Sequence, residues 1–175
     1  TRIGSSAASD VYKRQWQTNA LVLQSTNQEV TICDPGMDPA PLLDHLQQHG
    51  LLVKQIILTH AHVDHIAGID AVSRRFGDPP ILVHPEEQQW LNQPELNLSS
   101  LSGFDVTTRP ATGTIVDGQS ISVGVEEAEV WHLPGHSPGS IGLYFQTKKI
   151  LIGGDTLFQG SIGRTDFPTS EPGAM

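Results

Sequence analysis

The sequence predicts a layered α/β fold, in which β-sheets pack together and helices cover them from outside. In the first half of the chain, short β-rich runs alternate with segments whose apolar residues recur at helical spacing. In the second half, β-branched runs follow one another closely and are separated by turn residues. The first pattern is typical of alternating strands and helices, and the second of strands linked by hairpins.

The predicted elements begin with a β-hairpin and a helix. Apolar runs at 20–23 and 30–33 predict the hairpin, which ends at an Asp-Pro-Gly turn. The helix is capped by Asp38, has Pro39 at its first position and ends at Gly50. Its apolar stripe consists of Leu42, Leu43 and Leu46.

A strand, a loop and a second helix follow. Residues 55–58 predict a buried strand and residues 59–64 a loop. The stripe of the second helix consists of Ile66, Ile69, Val72 and Phe76. Residues 81–83 predict a strand, 85–91 a short helix, and the polar residues 92–110 a surface excursion. The remaining predicted strands are 114–116, 121–125, 129–133, 141–145 and 150–152.

Neither end of the chain predicts a regular element. Residues 1–15 are small, polar and aperiodic, and their segment SSAASDVYKRQ resembles the translation of a sequencing-library adapter. We therefore expect a non-native tail at 1–15 and one native domain at 16–175. Residues 167–175 hold two prolines and a glycine and complete no element. We expect the domain to be truncated at both ends.

Composition and charge limit the function classes. The 175 residues suit one domain, and a formal net charge of −9 argues against nucleic acid as a partner. No apolar run approaches the length of a membrane span, so we expect no membrane partner. Cys33 is the single cysteine, which excludes an intrachain disulfide and favours a buried apolar position. The expected location is cytoplasmic.

A cluster of metal-type ligands follows the strand at 55–58. Residues 59–65 read Thr-His-Ala-His-Val-Asp-His. Because residues two apart share a face in an extended segment, we expect His60, His62 and Asp64 to point one way and His65 another. Imidazole and carboxylate groups are ligands that zinc and iron favour. The segment predicts a metal site beyond the carboxyl end of a strand.

Two further turns carry ligand-type residues. His136 lies in a Pro-Gly-His-Ser-Pro-Gly turn after the strand at 129–133, and Asp155 in a Gly-Gly-Asp-Thr turn after the strand at 150–152. Loops that follow strands present ligands from a rigid scaffold. With the 59–65 cluster, these turns resemble the metallo-β-lactamase superfamily, whose pattern is HxHxDH, a distant His and a distant Asp. Residues 160–167, GSIGRTDF, resemble its glyoxalase II-like (hydroxyacylglutathione hydrolase-like) branch.

The resemblance covers nearly all of residues 16–175 and implies an αβ/βα sandwich that binds two metal ions. The matching ligands are His60, His62 and His136 for the first ion, Asp64 and His65 for the second, and Asp155 as a bridge. The family's second ion also has a last histidine. No histidine follows Asp155 in this sequence, which fits a chain that stops before that ligand.

The resemblance implies a zinc-dependent hydrolase with two Zn²⁺ ions, iron or manganese being alternatives. A metal-bound hydroxide, oriented by Asp64 and Asp155, would attack a small-molecule thioester such as S-acyl-glutathione. One alternative is a mononuclear iron persulfide dioxygenase that uses His60, His136 and Asp155. The other is a degenerate metal-binding module without activity.

The other polar residues predict supporting roles. The resemblance implies a position beside the metals for Asp34, whose carboxylate would orient a ligand imidazole. Arg164 and Asp166 predict either an ion pair that holds their loop or a contact to substrate. The remaining histidines are expected to have no metal-binding role. We expect His45 and His49 on the surface and His84 and His132 in structural positions.

Overall fold

The first sheet of the fold has seven strands, in a computed structural model that describes residues 2–3, 6–11, 18–25 and 27–175. In chain order these are β1 Arg2–Ile3, β2 Ser6–Val11, β3 Ala20–Gln24, β4 Glu29–Cys33, β5 Leu52–Ile57, β6 Ile81–Val83 and β7 Gly113–Thr114. β1 to β4 pair antiparallel, whereas β4 to β7 pair parallel. The parallel half directs the carboxyl ends of its strands to one edge.

The second sheet is antiparallel, in the order β11-β10-β9-β8. Its strands are β8 Ser120–Val123, β9 Glu126–His132, β10 Ile141–Phe145 and β11 Ile150–Ile152. A separate small hairpin consists of β12 Leu157–Phe158 and β13 Ser161–Ile162. The sequence predicts the four strands but not this hairpin, because two residues per strand are too few for a periodic pattern.

Helices cover the first sheet. They are α1 Ala40–Gln48, α2 Val63–Ile66 and α3 Ile69–Phe76, with 3₁₀ turns at Pro85–Asn92, Ser100–Ser102 and Pro172–Ala174. Each α-helix contributes buried side chains to one apolar cluster with the first sheet, among them Leu42, Ile66 and Val72. Among the described residues, no helix is long and apolar enough to cross a membrane.

A second apolar cluster lies between the two sheets. On β5, Ile56 belongs to the helix-side cluster, and the next residue, Ile57, to the inter-sheet cluster with Leu143 of β10. All three side chains are fully buried. Burial of each contributes about 1.5–3 kcal/mol to the free energy of folding. Cys33 is also buried there, as predicted. The predicted α/β layering is confirmed.

Two predicted details are corrected. α1 starts one residue later than expected, because Pro39 is its N-cap residue, and the Asp38 carboxylate accepts the N–H of Ala40 at 3.3 Å. The segment 92–110 is only partly a surface excursion, since Asn97 is fully buried. Its side-chain amide donates to the carbonyls of Trp90 and Val106, at 2.9 and 3.0 Å. Side-chain hydrogen bonds thus hold the segment in place of a regular helix or strand. Its sequence therefore shows no periodic apolar pattern.

The amino-terminal segment adds two strands to the sheet. Residues 6–11, expected to be part of a non-native tail, pair antiparallel with β3. An unpaired strand edge is a template for any extended segment, so this pairing requires no particular sequence. The adapter origin of residues 1–15 stays a prediction, and residues 1, 4, 5 and 12–15 lie outside the described part.

Candidate metal centre

The structure brings all six predicted ligands to one rim of the two sheets. His60 and His62 lie in the loop after β5, and Asp64 and His65 on α2. His136 lies in the loop after β9, and Asp155 in the loop after β11. The first sheet therefore supplies four of these side chains and the second sheet two.

Three imidazoles form the first group. The Nδ1 atom of His62 lies 3.0 Å from Nε2 of His136, which lies 3.2 Å from Nε2 of His60. Tetrahedral zinc with Zn–N bonds of about 2.0–2.1 Å holds its nitrogens roughly 3.3 Å apart. Two of the three separations thus approach this value, and all three ligand atoms lie within 4.8 Å of one another.

Burial keeps these imidazoles neutral. It lowers the pKa of His60 well below its ordinary value, that of His62 to about 3, and that of His136 as well. The Nδ1 of His136 lies 2.8 Å from the carbonyl of Arg164, to which it donates when protonated at that nitrogen. That bond leaves the Nε2 lone pair directed at the other two rings, in the way that outer partners orient metal ligands.

His65 and two carboxylates form the second group. The Nε2 of His65 lies 3.6 Å from Oδ1 of Asp155 and 3.7 Å from Oδ2 of Asp64. Among the residues that the structure describes, neither ring nitrogen of this buried histidine has a hydrogen-bond partner. Burial would lower the pKa of His65, but the carboxylates of Asp34 and Asp64 raise it well above its ordinary value. An orphaned imidazole facing two carboxylates fits a bound cation.

The expected orientation of His65 is wrong. The chain is extended only up to His62, and a helical turn starts at Val63. The turn directs His65 back under the first group, where its ring centroid lies 4.0 Å from that of His60. All four side chains of the 60–65 cluster therefore face the centre.

Asp34 lies directly behind the second group, as the resemblance implies. Its carboxylate accepts the backbone N–H of Thr59 at 2.8 Å and the Thr59 hydroxyl at 2.6 Å. It also lies 3.0 Å from Nδ1 of His65, outside hydrogen-bond geometry. Asp34 thus ties the end of β5 to the base of the His65 ring.

Two glycines allow the loop of Asp155 to pack closely. Gly154 has φ +53°, and a Cβ there would lie 2.5 Å from the Thr59 hydroxyl. A Cβ on Gly163 would overlap the carbonyl oxygen of Asp155. The Gly-Gly-Asp turn and the GSIGRTDF segment therefore meet backbone to backbone around this carboxylate.

Two supporting residues were not predicted. The carboxylate of Glu87 is fully buried and accepts hydrogen bonds from both ligand loops. Burial raises the pKa of Glu87 to about 7, although the hydrogen bonds that it accepts lower that pKa. The carbonyl of Asn97 accepts the N–H of Val63 at the start of α2. The one sequence signal is that Glu87, like the predicted ligands, follows a strand.

A cleft of about 330 Å³ opens beside the two groups. Its apolar wall includes Leu98, Leu101, Phe158 and Phe167, and its floor includes His62, Asp64, His136 and Asp155. Arg164 stands at its edge, 4.4 Å from the centroid of the Phe167 ring. The predicted pair between Arg164 and Asp166 is confirmed, with two bonds of 2.8 and 3.0 Å.

The other histidines are outside the centre. His84 and His132 stack with ring centroids 4.2 Å apart and planes 11° apart. With Glu86 they could supply three ligand atoms, but the lone pairs of parallel stacked rings do not converge on one point. His132 Nε2 contacts the carbonyl of Pro138 at 2.7 Å, and His49 is exposed on the surface. The structural positions of His84 and His132 and the surface position of His49 are confirmed, whereas His45 is half-buried on α1.

Curated relatives share most of this chain. The "Probable metallo-hydrolase YqgX" of Bacillus subtilis is 40% identical over 151 residues, which cover 86% of this chain and 71% of the relative. The "Hydroxyacylglutathione hydrolase GloC" of Haemophilus influenzae is 32% identical over 162 residues, which cover 89% of this chain and 74% of the relative.

Solved structures share the fold. The structure of "BLEG-1 B3 metallo-beta-lactamase" is 41% identical with a TM-score of 0.88, over 95% of this chain and 80% of that chain. The structure of "TTHA1623 in a di-iron-bound form" is 31% identical with a TM-score of 0.81, over 95% of this chain and 81% of that chain.

The family profile described as "Metallo-beta-lactamase superfamily" matches residues 14–175. That range includes both sheets from β3 onward and all six side chains of the centre. Fold, ligand-type residues and relatives agree, and the sequence-level resemblance is confirmed. The chain belongs to the metallo-beta-lactamase superfamily, as a metallo-hydrolase of that superfamily.

Proposed function

We propose that this protein binds two divalent metal ions, zinc in the first instance, and hydrolyses small-molecule thioesters of the S-acyl-glutathione type. The observation that carries the proposal is the convergence of three neutral imidazoles beside an imidazole with two carboxylates. His60, His62 and His136 would hold the first ion. Asp64 and His65 would hold the second, and Asp155 would lie between the two.

The donor set fits such ions. A nitrogen-only group suits zinc, and the mixed nitrogen and oxygen group suits zinc, iron or manganese. When bound, the ions supply Lewis acidity, which activates water at neutral pH and polarises a carbonyl. The di-iron form of a structure 31% identical to this chain keeps iron as an alternative to zinc.

The protein's own groups would orient the reaction. Asp155 lies within 4.8 Å of ligand atoms of both His60 and His65, and both Asp64 and Asp155 line the cleft. Both carboxylates can therefore accept hydrogen bonds from an attacking water. Burial would raise the pKa of Asp155, but the nearby His65 imidazole lowers it below its ordinary value. The carboxylate is therefore ionised at neutral pH and can serve as an acceptor. A thiolate leaves with little acid assistance, and no donor dedicated to it is required.

The cleft supports a substrate with an apolar part. An acyl chain can pack against Leu98, Leu101 and Phe158 while its carbonyl reaches the floor of the cleft. The name of the Haemophilus influenzae relative supports a glutathione-linked thioester. The free, buried Cys33 is compatible with a reducing compartment, and we propose a cytoplasmic location.

The test compares hydrolysis rates on protein of measured metal content, read as thiol release for thioesters and as absorbance for the cephalosporin. An S-hydroxyacyl-glutathione, the same acyl group on coenzyme A and a chromogenic cephalosporin are compared at equal concentration. We expect turnover of the glutathione thioester to exceed that of the cephalosporin by at least tenfold. Preferential cleavage of the cephalosporin, the β-lactamase chemistry for which the BLEG-1 protein is named, would replace the thioester proposal.

The persulfide dioxygenase alternative receives less support. It needs His60, His136 and Asp155 as one facial set. The ligand atoms instead form the groups His60–His62–His136 and His60–His65–Asp155, each within 4.8 Å. Oxygen uptake with glutathione persulfide and one iron per chain would favour the dioxygenase. Bound metal without turnover of any of these substrates would favour a metal-binding module.

A further inference from the structure

Glu87 joins two loops that are far apart in the sequence. Its Oε2 atom accepts the backbone N–H of Ala61 at 2.5 Å. Its Oε1 atom accepts the hydroxyl of Ser137 at 2.5 Å and the N–H of Gly139 at 2.8 Å. The side chain is fully buried, so both oxygens depend on these donors rather than on water.

The two loops are those that carry the first group of imidazoles. Ala61 lies between His60 and His62, and Ser137 directly follows His136. One carboxylate thus bridges the segments whose side chains must converge. Three short hydrogen bonds converge on this one buried carboxyl group, so the bridge is a stiff one.

The bridge is built for close contact. A Cβ on Gly139 would lie 2.8 Å from Cγ of Glu87 and 3.0 Å from its Cδ. Only glycine therefore permits the turn after His136 to approach the carboxylate. The Ser137 hydroxyl also contacts that of Ser140 at 2.8 Å, which fixes its direction.

We propose that Glu87 is a positioning residue that sets the distance between the His60–His62 loop and the His136 loop, and so preforms the first metal site. The inference rests on the proposed metal centre. Glu87 belongs to neither candidate ligand group and does not line the cleft, so it would act through the two loops. A shorter or uncharged side chain at this position would leave the three imidazoles present but imperfectly aligned.

Glu87→Gln is the informative variant, because it keeps the size of the side chain. Its amide nitrogen must face one of the donors, so at least one of the three bonds is lost. The neighbouring Glu86 is exposed, and Glu86→Gln makes the same chemical change outside the bridge. The probe is Co²⁺ added to metal-free protein, read by its visible absorption and by competition with a chelator.

We expect Glu87→Gln to weaken Co²⁺ binding at the tighter site by about 10–100-fold, the usual effect of losing an outer-sphere partner, and to alter the intensity of the Co²⁺ bands. Glu86→Gln should match the wild type in both. Unchanged affinity and spectrum in Glu87→Gln would overturn the inference, even if its melting temperature falls. That result would indicate a purely structural role.

Ser137→Ala decides the case if Glu87→Gln does not fold, since it removes one donor and keeps the carboxylate. Co²⁺ binding that is several-fold weaker than in the wild type would support the inference, and unchanged Co²⁺ affinity would overturn it. Failure of the wild type to bind Co²⁺ would overturn the proposed metal centre and this inference together, whereas normal binding with unaffected variants would overturn the inference alone.

Discussion

The Nδ1 atom of His62 and the Nε2 atom of His136 lie 3.0 Å apart, although 74 residues separate them in the chain. The two residues lie in loops of different sheets, and burial keeps both imidazoles neutral. We propose that these nitrogens share one metal ion.

We expect His62→Ala to abolish thioester hydrolysis and to lower the metal content. Loss of a residue that only orients a ligand already lowers metal affinity or activity by about 10–100-fold, and loss of a direct ligand should lower them further. His49→Ala, on the exposed end of α1, is the matched control and should retain activity. Near wild-type turnover with normal metal content in His62→Ala would show that the ligand assignment is wrong.

The chain should hold one metal ion firmly and a second one weakly. The first group offers three imidazoles, whereas the second offers, among the described residues, one imidazole with Asp64 and Asp155. Calorimetric titration with Zn²⁺ should resolve two steps, and metal analysis after gel filtration should give about one ion per chain. Two tightly held ions would contradict this prediction.

Gly154→Ala should reduce the free energy of unfolding by at least about 1–3 kcal/mol, from backbone strain at positive φ alone. It should also weaken metal binding, because the new Cβ would press on Thr59 and displace Asp155. Gly160→Ala is the control, since Gly160 has φ +80° and nothing within 4 Å of an added Cβ. Equal effects of the two variants in chemical denaturation would contradict the proposed clash.

The metal-free protein should be most stable near pH 6.5. Burial lowers the pKa of His60, His62 and His136 below the ordinary 6.5, so below that pH the unfolded state binds more protons and stability falls with acidification. The pKa of Glu87 is raised to about 7, so between pH 4.5 and 7 its folded state binds more protons than its unfolded state. Glu87 alone therefore stabilises the fold on acidification and partly offsets the imidazoles. His65 has a raised pKa, so its stabilising contribution is lost as pH increases above 6.5.

Urea unfolding of chelator-treated protein between pH 5 and 8 measures this dependence. We expect the midpoint to decrease on both sides of the maximum, and His62→Gln to flatten the acidic side because one imidazole no longer titrates. A midpoint that increases steadily from pH 6.5 down to pH 5 would contradict the assigned protonation states.

The sequence predicts the ligand types because each ligand follows a strand whose pattern is readable. His136 and Asp155 stand in glycine-rich turns after β-branched runs, and the structure places both turns at the expected strand ends. The orientation of His65 could not be predicted in this way. α2 has four residues, fewer than a periodic pattern needs, and the N–H of its first residue, Val63, is bound by the distant Asn97.

Glu87 and Asn97 could not be predicted for a related reason. Their roles depend on which distant segments meet them, and Glu87 contacts residues 26, 50 and 52 positions away. A buried carboxylate has no local signature, since nothing in a Pro-Glu-Glu-Gln segment indicates which glutamate turns inward. Local patterns therefore predict the elements and the ligands, while the parts that align the ligands follow from tertiary contacts.

The division of the centre between the two sheets has a wider consequence. Four of its side chains move with the first sheet and two with the second, so the apolar layer that includes Ile57 and Leu143 acts as the spacer between donor atoms. A methylene gained or lost in that layer would change the gap between the sheets and so the fit to ions of different radius. Metal preference in such a protein can then drift through substitutions that never touch a ligand.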